Sequence, residues 1–126
     1  MKYKVKQETR PNVATFGKYK AVAVHERTID KEQLQAEIAQ RSGLSIGNVI
    51  NVMQDMGDIV NEHLRQGDKV WLDDWGMMKL EIESDKVDNP EDFQLRHIRG
   101  VRIHFLAGSR HGSQAAYEGI RFDKSK

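Results

Sequence analysis

The stretch that decides the fold is GDKVWLDDWGMMKLEIE, residues 67–83, which follows directly on an amphipathic helical segment. Gly67 can supply the left-handed conformation that ends a helix, and Asp68 is a turn former. Residues 73–76, DDWG, predict a tight reversal of the chain. Apolar residues alternate with polar or aromatic ones on both sides of that turn: Val70 and Leu72 before it, and Met78, Leu80 and Ile82 after it. The stretch therefore predicts a helix end followed by a β-hairpin with one buried face.

Two helices are predicted upstream of this hairpin. Asp30 has the character of a helix N-cap, and Gln33 three residues later completes a capping-box pattern. Helical spacing of apolar residues then extends to about Arg41, and Gly43 ends the helix. Ser45 caps a second and longer helix. Together these signals predict a helical hairpin over residues 28–66.

The second helix carries more apolar residues than one buried stripe requires. They are Ile46, Val49, Ile50, Val52, Met53, Met56, Ile59, Val60 and Leu64. This surplus predicts that one stripe packs within the chain while another contacts a second subunit. The alternative is a helix surrounded by its own chain, for which a domain of this size offers little material.

Residues 1–27 form an N-terminal β extension with two predicted strands. In the first strand, lysines alternate with Tyr3 and Val5, which places Lys2, Lys4 and Lys6 on one face. The second strand is predicted over residues 18–24. We interpret the lysines as a solvated edge that opposes aggregation, in preference to a set of phosphate contacts.

The hairpin and the preceding helices resemble the bacterial histone-like DNA-binding family, the group of HU and integration host factor. The family pattern G-D-x-V-x-L-x-x-F-G-x-F is matched by Gly67, Asp68, Val70, Leu72 and Gly76, with Trp75 and Met78 at its two aromatic positions. The resemblance extends back through Asp30, Leu34, Ile38, Ala39, Leu44 and Ser45. The N-terminal extension is similar to that of longer family variants known from Bacteroides-type bacteria.

This resemblance implies an α+β fold and an intertwined homodimer that binds double-stranded DNA without enzymatic activity. Each subunit is expected to contribute a helical hairpin, a β-hairpin whose strands extend into an arm, and a further strand. We expect a single domain over residues 1–126, with the sheet, arm and C-terminal segment in residues 67–126. The resemblance also implies a location in the cytoplasm, on the nucleoid.

The candidate DNA-binding residues lie along the arm that the resemblance implies. They are Lys79, Lys86, Asn89, Pro90, Arg96, His97, Arg99 and Arg102. Family members insert a proline at the arm tip between base pairs, and Asn89-Pro90 occupies that place here. The tip is flanked by Asp88, Glu91 and Asp92, however, and this acidic surrounding favours an ordinary turn proline.

The charge balance leaves a second function open. The formal net charge is only +1, whereas proteins that bind DNA by phosphate neutralisation are usually far more basic. Glu81 and Glu83 lie on the strand that leads into the arm. The alternative to DNA binding is therefore a structural or protein-interaction module that keeps the fold and the dimer.

The sequence has no pattern that is typical of a metal site, a catalytic nucleophile or a phosphate-binding loop. The chain has no cysteine, and its five histidines show no metal-ligand spacing, so we expect no metal site. No nucleophile motif or phosphate-binding glycine loop is present. We expect no catalytic residues, no cofactor, no small-molecule substrate and no membrane partner. Residues 108–117 predict a short helix and residues 120–122 a last strand.

Overall fold

The computed structural model describes residues 1–108 and 116–125, and most of the helix predicted over residues 108–117 lies outside these ranges. The chain divides into two compact units. One consists of Met1–Glu37 with Gly119–Lys126, and the other of Ile38–Glu118. The helices and strands confirm the α+β fold class.

The first unit contains a three-stranded sheet in the order β2-β1-β6. Strand β1 spans Lys2–Gln7, and β2 spans Tyr19–Ala23 and runs antiparallel to it. The third strand, β6, spans Asp123–Lys124 and runs parallel to β1. The two N-terminal strands are where the sequence predicted them. The last strand begins three residues later than predicted, because the pairing with β1 involves Asp123 rather than residues 120–122.

Both helices start at the predicted caps. Helix α1 spans Lys31–Ser42, and the Asp30 carboxylate accepts the backbone N–H of Gln33 at 2.8 Å. Helix α2 spans Ile46–Arg65, and the Ser45 hydroxyl accepts the backbone N–H of Asn48 at 3.2 Å. The glycines that follow them, Gly43 and Gly67, have φ values of 77° and 87°. These are left-handed conformations that glycine adopts without steric cost, so both helix ends are fixed locally.

The second unit contains a sheet in the order β3-β4-β5. Strand β3 spans Val70–Leu72, β4 spans Gly76–Ser84 and β5 spans Ile98–Ala107, with antiparallel pairing throughout. Gly76 is buried, and a Cβ atom at this position would lie 2.4 Å from both the Leu106 carbonyl oxygen and the Phe105 ring. The family-like glycine is therefore required by the close approach of β5.

The apolar core of the described chain is small. Val49 and Leu64, both on α2, are its buried hydrophobic residues. Met53 and Val60 lie between them on the same helical face and are half-buried. A second apolar stripe of α2 remains in solvent, with Val52, Met56 and Ile59 between 51% and 62% exposed. Helix α2 thus has the surplus apolar surface that its sequence predicted.

Candidate nucleic-acid interface

The two long strands β4 and β5 form the arm, and their register separates it into a polar and an apolar face. Residues directly opposite each other share a face, and the faces alternate along each strand. Lys79 lies opposite His104, and Glu81 lies opposite Arg102. The other face carries three apolar cross-strand pairs: Met78 with Phe105, Leu80 with Ile103, and Ile82 with Val101.

Glu81 is the acidic residue that the basic side chains of the polar face surround. Its carboxylate accepts a hydrogen bond from Arg102 Nη2 at 3.1 Å, and lies 3.7 Å from Lys79 Nζ and 3.8 Å from His104 Nδ1. Partial burial by itself raises the pKa of Glu81, but the Arg102 hydrogen bond and the nearby charges of His104, Arg102 and Lys79 outweigh it, so the pKa is lowered. Glu81 is therefore ionised at neutral pH and neutralises cations that could otherwise contact phosphate.

A second ion pair lies where the regular strand pairing ends. The register shifts between Glu83 and Ser84, so that Glu83 pairs with Gly100 and Ser84 with Ile98, which leaves Arg99 in a β-bulge. Arg99 Nε donates to Asp85 Oδ1 at 2.5 Å. This bond joins the two strands of the arm, and it engages one of the predicted DNA-binding cations with a carboxylate.

The end of the arm is built from two short 3₁₀ turns, Pro90–Asp92 and Leu95–His97. The second turn is closed by the His97 ring, whose Nδ1 accepts the Gln94 backbone N–H at 2.9 Å. The Gln94 side chain in turn accepts a hydrogen bond from Arg96 Nε at 2.8 Å. His97 also packs against the Phe93 ring, with the ring centroids 5.5 Å apart. His97 thus has a structural role in this turn.

The predicted proline occupies a turn rather than a bare tip. Pro90 is the first residue of its 3₁₀ turn, and its carbonyl oxygen accepts the backbone N–H of Phe93 at 3.2 Å. Asn89 Nδ2 donates to Asp92 at 3.4 Å. Lys86 is exposed and forms no ion pair within the part of the chain that the structure describes. Of the predicted residues, the structure brings Lys79 and Arg102 together through Glu81, and Arg96 and His97 through Gln94.

Leu95 is a feature that sequence reasoning missed. It is the first residue of the second 3₁₀ turn and is 83% exposed, more than any other large hydrophobic residue described. It stands directly before Arg96. A single leucine in a polar segment gives no periodic signal, so its exposure could be found only from the backbone path of the arm tip.

Over the described residues, no group of three or more histidine or acidic side chains has the geometry to hold a metal ion. No described helix combines the length and the apolar character that crossing a bilayer requires.

Comparisons with known proteins found a matching family model and a similar solved structure. The family model described as an HU domain fused to a wHTH, Ig or glycine-rich motif matches residues 1–122. Among solved structures, a crystal structure from Bacteroides vulgatus, provisionally described as a bacterial DNA-binding protein, has a TM-score of 0.65 and 17% sequence identity to this chain. The match covers 98% of this chain but only 47% of the Bacteroides chain, so the present chain spans about half the length of that protein. No curated protein is significantly similar in sequence.

Proposed function

This chain belongs to the family of HU domains fused to a wHTH, Ig or glycine-rich motif, and we propose that it is a non-enzymatic protein that binds duplex DNA as a homodimer. The observation that carries the proposal is the match of the HU-domain family model to residues 1–122, a range that includes the whole two-stranded arm. A two-stranded β-ribbon is a shape that fits a groove of duplex DNA. Acting on DNA would place the protein at the nucleoid, in the cytoplasm.

The homodimer is supported by apolar surface that a single chain leaves in solvent. Val52, Met56 and Ile59 form an exposed stripe of α2, and Val101 and Ile103 of the arm are 60% and 58% exposed. A contiguous apolar stripe such as that of α2 marks an interaction site in a folded protein. A second copy of the chain presents the same stripe, and a two-fold axis would let the two stripes cover each other.

Weak sequence preference follows from the kind of contact that the arm offers. The exposed cations of the arm are Lys86, Arg96, Arg99 and Arg102, and cationic contacts to phosphates carry no base information. Glu81 and Asp85 already engage Lys79, Arg102 and Arg99. We therefore propose that the arm contacts DNA with Lys86, Arg96 and the exposed part of Arg99 and Arg102, and makes fewer phosphate contacts than a strongly basic arm.

Fluorescence anisotropy with a labelled random-sequence duplex tests the proposal. We expect binding at low salt, with log K falling linearly with log salt concentration by about 0.9 per phosphate contact. An unlabelled duplex of unrelated sequence should compete equally. Enrichment of one sharp consensus sequence in a selection experiment would contradict the sequence-tolerant proposal. A failure to bind duplex at low salt would contradict DNA binding itself and leave the alternative, an interaction module with the same fold.

A further inference from the structure

The sheet of the N-terminal unit places three lysines together. In the register of β1 and β2, Lys6 lies directly opposite Lys20, and Lys4 lies opposite Val22. Alternate residues of a strand share a face, so Lys4, Lys6 and Lys20 project from the same side of the sheet. All three are exposed. We call this surface, defined by these three residues, the lysine face.

Two acidic residues close to the lysine face, Glu26 and Glu8, form ion pairs with other cations. Lys2, at one end of β1, forms a 2.7 Å ion pair with Glu26, and its strand partner on β6 is Asp123. Both Glu8 carboxylate oxygens bind the Arg10 guanidinium at 2.9 Å. Arg10 lowers the pKa of Glu8 to about 2, and the charge of Lys20 adds a smaller contribution in the same direction. Among the described residues, no carboxylate lies within 4.0 Å of a lysine of the lysine face.

The placement of three lysines on one face of the sheet is unfavourable unless an anion binds to them. Like charges directly opposite each other on an antiparallel pair destabilise the sheet. Edge protection accounts for a lysine on β2, which is the outer strand, but it does not require a second lysine opposite the first. Lys4 and Lys6 are about 6.8 Å apart along β1, so the three side chains present a compact patch of positive charge. The negatively charged phosphates of duplex DNA match the sign of this patch.

We propose that the lysine face binds the phosphate backbone of duplex DNA and is a principal source of cationic contacts in this protein. The proposal rests on the proposed DNA-binding function. It also explains how a chain with a formal charge of +1 can hold a polyanion, because its cations are unevenly neutralised. On the arm, Glu81 and Asp85 engage the strand cations, whereas the lysine face keeps its charge.

The test compares two triple variants of the full chain that lose the same charge. The first replaces the lysine face: Lys4→Gln, Lys6→Gln and Lys20→Gln. The control replaces three exposed lysines elsewhere: Lys31→Gln, Lys69→Gln and Lys124→Gln. Lys124 is the strand partner of Tyr3, so it belongs to the opposite face of the same sheet. Anisotropy with random-sequence duplex DNA is measured for the parent and both variants over a salt titration.

We expect the lysine-face variant to bind roughly 10- to 100-fold more weakly near 0.1 M salt and to lose about 3 from its log–log salt slope for each subunit in contact. The control should keep the parent slope. Equal affinity and slope in the parent and the lysine-face variant would overturn the lysine face while leaving the proposed function intact. A parent that binds no DNA would overturn both.

A single variant keeps the proposal testable if the triple variant folds poorly. Lys6→Gln removes the like-charge pair with Lys20, so its melting temperature should equal or exceed that of the parent. Its DNA affinity should nevertheless fall, and its salt slope should decrease by about 1. A purely protective role for these lysines predicts the opposite result, namely unchanged DNA affinity and increased light scattering from aggregates, and that result would overturn the proposal.

Discussion

Two aspartates on the exposed stripe of α2 should dissociate the proposed homodimer. Met56 and Ile59 are 51% and 53% exposed in the single chain, so about half of each side chain is available for burial against a partner. Full burial of such a side chain contributes about 1.5–3 kcal/mol, and covering the exposed half therefore contributes about 1 kcal/mol. Two side chains from each of two subunits give about 4 kcal/mol, because a two-fold interface uses the same surface twice.

We therefore expect Met56→Asp with Ile59→Asp to raise the dimer dissociation constant by about 1000-fold, since each 1.4 kcal/mol is a factor of ten. Burying carboxylates would add to this loss. Size-exclusion chromatography with light scattering at micromolar concentration should give the dimer for the parent and the 14.5 kDa monomer for the variant. The melting temperature of the parent should also rise with protein concentration, because association stabilises the folded state.

The matched control adds the same two charges to the other side of the helix, through Asn51→Asp and Asn61→Asp, both at exposed positions. This variant should remain dimeric, since residues at these positions point away from the apolar stripe. Circular dichroism reports whether dissociation is accompanied by loss of helix. A parent that is monomeric at micromolar concentration, or a stripe variant that stays dimeric, would refute the reasoning.

Three further predictions concern the arm and the N-terminal unit. Glu81→Gln should tighten DNA binding and steepen the log–log salt slope by about 1 to 2, because it releases the two cations that it pairs with; unchanged anisotropy titrations would argue that this face does not meet DNA. Leu95→Ala should reduce DNA bending, measured by energy transfer between labelled duplex ends, more than Pro90→Ala does, since an exposed apolar side chain can wedge between base pairs; a larger effect of Pro90→Ala would contradict this. Glu8, with a pKa lowered to about 2 from its ordinary 4.5, contributes stability that is fully present above the ordinary value and is lost as the pH falls towards 2. Arg10→Gln should return the Glu8 pKa towards 4.5, as followed by NMR titration of the carboxyl carbon, and a Glu8 that still titrates near 2 would show that Arg10 is not the cause.

The helix boundaries and the main strands could be predicted from sequence because their signals are local. Asp30 and Ser45 cap their helices with bonds that reach only three residues along the chain. Gly67 ends α2 through its own backbone conformation, with a φ of 87°. Alternation of apolar residues located β3 and β4 for the same reason, since it reflects the two faces of each strand. These features needed no knowledge of distant contacts.

Local sequence signals could not predict which of the candidate DNA-binding cations are paired with carboxylates. Arg102 bonds to Glu81 across 21 residues of sequence, and Arg99 bonds to Asp85 across 14. Which acid meets which base depends on strand register, and one bulge between Glu83 and Ser84 shifts that register. The sequence shows a mixture of charges along the arm, but only the paired strands show that several of its cations are already neutralised.

In the N-terminal unit, too, some features follow from the local sequence and others only from the tertiary structure. Sequence alternation by itself determined that Lys4 and Lys6 share a face, because side chains of one strand repeat every two residues. Only the tertiary structure placed Lys20 directly opposite Lys6, and only it placed Asp123 of β6 beside Lys2. Composition and local pattern set how many charges the chain carries and on which strand. Long-range strand pairing set which of them remain free to meet a partner, because a charge is neutralised by what lies close in space and not by what lies close in sequence.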